Sequence, residues 1–178
     1  MKKILLIFNL CFLLCLPFQQ TWAFDKNDLA KLRKTKQCSS GTFSSCDLEN
    51  ASLKGLDLSN ADLKGANLKN ATIENTNLAG ANLEGADLTG AKLRLVNMQG
   101  AKLNEAIFNK ALLVFVDFSE ADLSETVFQL STLKGIVLKK TKCDDMNFGG
   151  ADLRLIDFSE ATGINDKMCK KGSFGKCE

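Results

Sequence analysis

From Phe43 to Phe158 a large residue recurs at every fifth position. The series runs Phe43, Leu48, Leu53, Leu58, Leu63 and on to Phe148, Leu153 and Phe158, 24 consecutive units without an insertion, and only Cys143 departs from a large aliphatic or Phe. Two residues before each centre stands a mostly small residue, often Ala, as at Ala51, Ala61, Ala71, Ala81, Ala91 and Ala101. Asp or Asn commonly precedes the centre, and Gly or Asn often follows it by two. A period of five matches neither an α-helix nor a simple alternating strand. It fits a chain that turns a corner every five residues, with the large centre inward, the small residue beside it, and Gly or Asn at corners where positive φ is tolerated.

A longer period lies over the shorter one. The bulky exceptions at the second inward site are Leu56, Val96, Val116, Ile136, Met146 and Ile156. All but Met146 fall on the series 56, 76, 96, 116, 136, 156, whose remaining member is the β-branched Thr76. Phe108, Phe128 and Phe148 are likewise 20 apart, with Phe118 and Phe158 on the opposite side. Four units therefore close one square coil, and residues 20 apart stack.

Stretches such as "ADLKGANLKN", "ANLEGADLTG" and "ADLSE" fit the pattern A-[D/N]-L-x-x, and over roughly residues 41–160 the chain resembles the pentapeptide-repeat family. The resemblance implies an all-β, right-handed quadrilateral β-helix. The pattern predicts about six coils, a short N-terminal helix and disulfide-closed ends. It divides the chain into a signal peptide at 1–23, a capping helix and loop at 24–40, the solenoid at 41–160 and a C-terminal cap at 161–178.

The ends carry a motif of their own. "CSSGTFSSC" at Cys38–Cys46 and "CKKGSFGKC" at Cys169–Cys177 both read C-x-x-G-[ST]-F-x-x-C. A solenoid buries its core by stacking, so its end coils need covers. We read each motif as a loop closed by a disulfide, Cys38–Cys46 and Cys169–Cys177, in an exported chain that keeps such bonds. The alternative, four thiolates on a metal, meets a C-x7-C spacing foreign to zinc sites. Cys143, at an inward centre, reads as a small buried hydrophobe. "KNDLAKLRKTKQ" reads as a short basic helix starting near Asp25–Asn27, with Leu29 and Leu32 on one face lidding the first coil.

At the start, "MKK", the apolar run "ILLIFNLCFLLCL" and the small-residue site ending at Ala23 have the three-part layout of a secretory signal. Removing 23 of the 178 residues leaves 155, and with Lys2 and Lys3 gone 21 basic residues face 21 acidic ones. A neutral chain has no global field for nucleic acid, and none is expected as a partner. His and Tyr are absent, and the single Trp, Trp22, leaves with the signal. No nucleophile–base pair, nucleotide motif or metal-ligand spacing appears, so neither an enzyme nor a cofactor is expected. The expected location is the periplasm or the exterior, and the same features suit a thylakoid lumen. No membrane insertion is expected after cleavage.

The outward positions are mostly polar, with apolar exceptions in the middle coils. Leu112, Val114 and Phe115 share one side with Leu95, a coil below, and that side also carries Lys54, Lys92, Arg94, Lys134 and Arg154. Ile107 and Val127 stack on the adjoining side, and Glu105, Glu125 and Asp145 form an acidic column elsewhere. Contiguous exposed apolar surface with a basic rim reads as a contact site, for a protein partner or a second copy. The expected function is a non-catalytic exported binding or scaffold protein. The resemblance adds two alternatives: a DNA-mimic type gyrase-interacting protein, or a secreted effector.

Overall fold

The pentad becomes structure through its corners. In the computed structural model, which describes residues 26–37, 46–163 and the backbone of 175–176, φ is positive at every fifth residue from Asn50 to Glu160. The left-handed region costs an ordinary side chain about 1–2 kcal/mol, a penalty that Gly escapes and Asn softens. Hence the Gly and Asn of the repeat. On most sides the residue after the corner closes a tight turn onto the preceding centre, as when Ala61 N–H donates to Leu58 O at 3.0 Å and Ala111 N–H to Phe108 O at 3.0 Å. The Asp or Asn before the centre has its own task. Its Oδ1 accepts from the N–H two residues on, as in Ser59 N–H to Asp57 at 3.0 Å, Thr89 to Asp87 at 2.9 Å and Ser119 to Asp117 at 2.9 Å. The side chain thus satisfies a corner amide that the ladder leaves unpaired.

One side turns differently. There the chain stays in the inter-coil ladder across the corner, forming strands β2 (Lys92–Asn97), β3 (Leu112–Asp117), β4 (Thr132–Val137) and β5 (Asp152–Asp157), with a shorter β1 (Thr72–Glu74) below. Lys92, Leu112 and Thr132 occupy the Asp/Asn position on this side, and Val96, Val116 and Ile136 occupy the small position, all three buried. The bulky series legible in the sequence therefore marks the corner that the strands cross.

The strands stack in parallel in chain order, in the register Thr72↔Lys92↔Leu112↔Thr132↔Asp152. From β1 to β5 they span four full turns of a right-handed β-solenoid at 20 residues per turn. Single parallel bridges carry the same spacing outward, from Asp47↔Asn67 at one end to Lys142↔Thr162 at the other. The core runs up the axis. Phe108, Phe128 and Phe148 stack with ring centroids 4.9 and 5.2 Å apart, and Phe118 meets Phe108 and Phe128 edge-on at 6.2 and 6.4 Å from across the coil. Hydroxyls at the small inward site are satisfied by backbone: Thr126 Oγ1 donates to Leu103 O at 3.0 Å and Ser131 Oγ to Phe128 O at 2.6 Å. Cys143 is fully buried and free, and burial pushes its thiol pKa up.

The ends depart from the repeat. Helix α1 (Lys26–Thr35) is the expected short helix, and it places Leu29 and Leu32 in the core. Asp28 in its first turn accepts from Asp47 N–H at 2.9 Å, and Lys36, at φ 55°, ends it in the left-handed region. Unbroken counting would pair Asp62 with Thr42, yet Asp62 pairs with Gln37, and its N–H donates to Lys36 O at 2.9 Å. The chain thus spends ten residues from Gln37 to Asp47 on a step that Asp62 to Asn67 makes in five. At the other end β6 (Gly175–Lys176) pairs antiparallel with β5 and covers that edge of the sheet. The signal segment, Phe43, Cys38, Cys169 and Cys177 lie outside the described residues.

Candidate interaction face

The side crossed by β2 to β5 carries the unusual surface. Among the described residues the large apolar side chains that stand exposed are Leu95 (50%), Leu112 (42%), Phe115 (50%), Leu130 (63%) and Leu155 (60%). All five lie on this one side or its two edges: Leu95, Phe115 and Leu155 along one corner, Leu130 on the other, and Leu112 between. Val114, half-buried, completes an outward apolar row along β3. Elsewhere the corner positions hold Gly, Asn, Glu, Lys or Asp, with φ in the same range. Four bulky apolar residues at these corners therefore accept a left-handed backbone and exposure together.

Two cationic rows flank the apolar one. Lys92 and Arg94 on β2 and Lys134 on β4 are exposed, directly below and above β3 in the register Lys92↔Leu112 and Arg94↔Val114↔Lys134. None of the three makes an ion pair among the described residues. The expected basic rim is narrower than the sequence indicates. Arg154 folds back bidentately on Asp152, at 2.7 to 3.1 Å, because residues two apart on a strand project to the same side. Lys54 is likewise held by Glu74 at 2.9 Å. Phe115 is more than a bystander. A Cβ built on Gly135 would lie 2.6 Å from its Cδ1 and 2.7 Å from its Cε1, so that edge of the ring occupies the space the glycine of the next coil leaves open. Its backbone conformation and the missing side chain above it hold the ring as a platform.

Ile107 and Val127 pair with each other on the adjoining side, both half-buried, and are separated from the β3 row by the corner of Lys110 and Leu130. Leu130 and Leu155 extend the face beyond the expected set. Both were visible as apolar residues at outward positions, and only the shared edge geometry joins them to it. The acidic column Glu105, Glu125 and Asp145 is exposed at the edge diagonally opposite Leu95 and Phe115.

A family model described as "Pentapeptide repeats" matches in eight copies, over residues 42–78, 73–109 and 117–154. Among solved structures, the pentapeptide-repeat protein Rfr23 from the cyanobacterium Cyanothece 51142 is 18% identical, with 76% of this chain and 96% of that chain covered and a TM-score of 0.44. A trypsin-treated form of QnrB1, a plasmid-mediated fluoroquinolone resistance protein, is 17% identical over 71% of this chain and 87% of that one, with a TM-score of 0.36. HetL, involved in heterocyst differentiation regulation in the cyanobacterium Nostoc sp. strain PCC 7120, is 23% identical over 70% and 69%, with a TM-score of 0.25. Among curated proteins none matches the chain. The repeat model spans more than half of the sequence and agrees with the corner at every fifth residue: the chain belongs to the pentapeptide-repeat family.

Proposed function

We propose that this is a non-catalytic, exported binding or scaffold protein that presents one rigid face of its solenoid to a protein partner. The observation that carries the reading is that the five large apolar side chains exposed among the described residues all gather on one side and its two edges. Such side chains gain little from folding while exposed, and each would contribute about 1.5–3 kcal/mol on full burial against a partner. A stacked β-core is stiff, so the surface is already organised when the partner arrives.

The finer features belong to the same proposal. The repeat extends to six coils, Cys38–Cys46 and Cys169–Cys177 close the ends, and cleavage after Ala23 delivers the mature chain to the periplasm or beyond. What supports the first closure is the step at Gln37, where the chain spends ten residues before Asp47 against five from Asp62 to Asn67, a surplus that coincides with the Cys38–Cys46 motif. The double change Val114→Ser with Phe115→Ser tests the function. The exported wild-type protein, cross-linked in its native host, should capture a partner that the variant loses while the variant still melts cooperatively. Equal capture by both would place the binding site elsewhere.

A further inference from the structure

We infer that the partner meets this face through a protein segment whose apolar side chains are flanked by carboxylates. The inference rests on the binding function proposed above and adds the chemistry of the ligand. The apolar row of β3, from Leu112 to Phe115, lies between Lys92 and Arg94 on one flank and Lys134 on the other. Neighbouring rows of a sheet are about 4.8 Å apart. A segment seated on Val114 and the Phe115 ring therefore reaches a cation on either side within one side-chain length. The carboxylates of the face are already engaged, Glu74 by Lys54 and Asp152 by Arg154, so the unpaired charge left on it is entirely positive.

That charge selects among occupants. A second copy docked by a two-fold axis would press Lys92, Arg94 and Lys134 against their own kind, with no free carboxylate to offset them. An anionic lipid surface would accept the cations. Around the edge from Phe115, however, the adjoining side presents Asp117 and Asp157, which immersion of the ridge would carry toward like-charged headgroups. An acidic protein segment seated on Leu112–Phe115 and ending at that corner, short of Asp117, avoids both conflicts.

The experiment is selection of a random phage-displayed peptide library on the folded wild-type protein, followed by fluorescence anisotropy of the selected peptides. The expected winners combine Leu, Ile or Phe with Asp or Glu. Arg94→Glu with Lys134→Glu should weaken them by about tenfold or more, and added salt should weaken the wild-type complex in the same direction. Phe115→Asn should abolish binding while leaving the circular dichroism of the coil intact, since Asn75 occupies the same column at φ 50°. Leu95→Asn serves as the second variant if Phe115→Asn does not fold. Apolar winners without acidic residues, or winners indifferent to charge reversal but lost with Phe115→Asn, would overturn the acidic partner and leave the binding face standing. Winners indifferent to both changes, or no winners, would overturn both. Two further results would replace the inference with another occupant: a dimer in sedimentation that Phe115→Asn dissolves, or cosedimentation with phosphatidylglycerol vesicles that it abolishes.

Discussion

Two glycines in equivalent conformations separate backbone cost from side-chain contact. Gly85 and Gly135 have φ of 63° and 64°, but a Cβ at Gly85 would meet nothing within 4 Å, while one at Gly135 would strike the Phe115 ring. Both Ala variants accept the left-handed penalty of about 1–2 kcal/mol. Gly135→Ala must in addition lift the ring from its seat. Thermal melts should rank wild type above Gly85→Ala and Gly85→Ala above Gly135→Ala, with the Phe115 ring resonances shifted only in the last. Equal losses would mean that the ring does not rest on Gly135. Asp57 supplies a second test. The Ser59 backbone N–H, then the Ser59 hydroxyl and Lys36, hold its carboxyl down at about 2 from the ordinary 3.8. Asp157 is lowered in the same way, led by Ser159 N–H. A depressed folded pKa stabilises the fold above the unfolded value, and that contribution is lost as pH falls through the folded one. Stability should therefore hold from neutral pH to about 5 and decline between about 4 and 2. Asp57→Asn should flatten part of that decline, and a decline unchanged in that variant would show that other carboxylates carry it.

At the scale of the element, the helix and the aromatic column bear different loads. Leu32 is fully buried at the end of the core, and α1 covers a coil whose lower edge would otherwise be open to pairing. Leu32→Ala should cost about 2–5 kcal/mol and produce higher oligomers in size-exclusion chromatography, since loosening the lid frees that edge. A monomeric variant with an unchanged melt would show that the helix is not a cap. The helix was legible from Leu29 and Leu32 three apart and from the cations of its last turn. The excursion between Gln37 and Asp47 was not, for a physical reason. An insertion of one whole five-residue unit leaves every later centre in phase, so Phe43 continues the period by count although Asp62 pairs with Gln37. Periodicity reports phase and cannot report how many units the chain spends between two phases.

For the whole molecule, much of the architecture follows from two periods. Five sets the corner, and 20 sets the stack, visible beforehand in Phe108, Phe128 and Phe148 and in Val96, Val116 and Ile136. The outward face was legible in outline, because inward and outward positions are assigned by count. Its energetics were not, because they depend on contacts between coils: the Phe115 ring on Gly135, Arg154 on Asp152 and Lys54 on Glu74. The corner order also gives the solenoid an electrostatic sidedness although the formal net charge of the chain is only +2. The acidic column of Glu105, Glu125 and Asp145 is diagonally opposite the apolar ridge, so the acidic partner inferred above would be turned toward the β3 side.

The claim that this side is where the protein acts is tested most directly by site-specific photo-cross-linking of the protein in its native host. A benzophenone amino acid is placed at position 112, on the face, and in a separate variant at position 125, on the acidic edge. The account predicts a single discrete adduct to another protein from position 112 and none from position 125. An adduct from position 125 alone, or matching adducts from both, would contradict it.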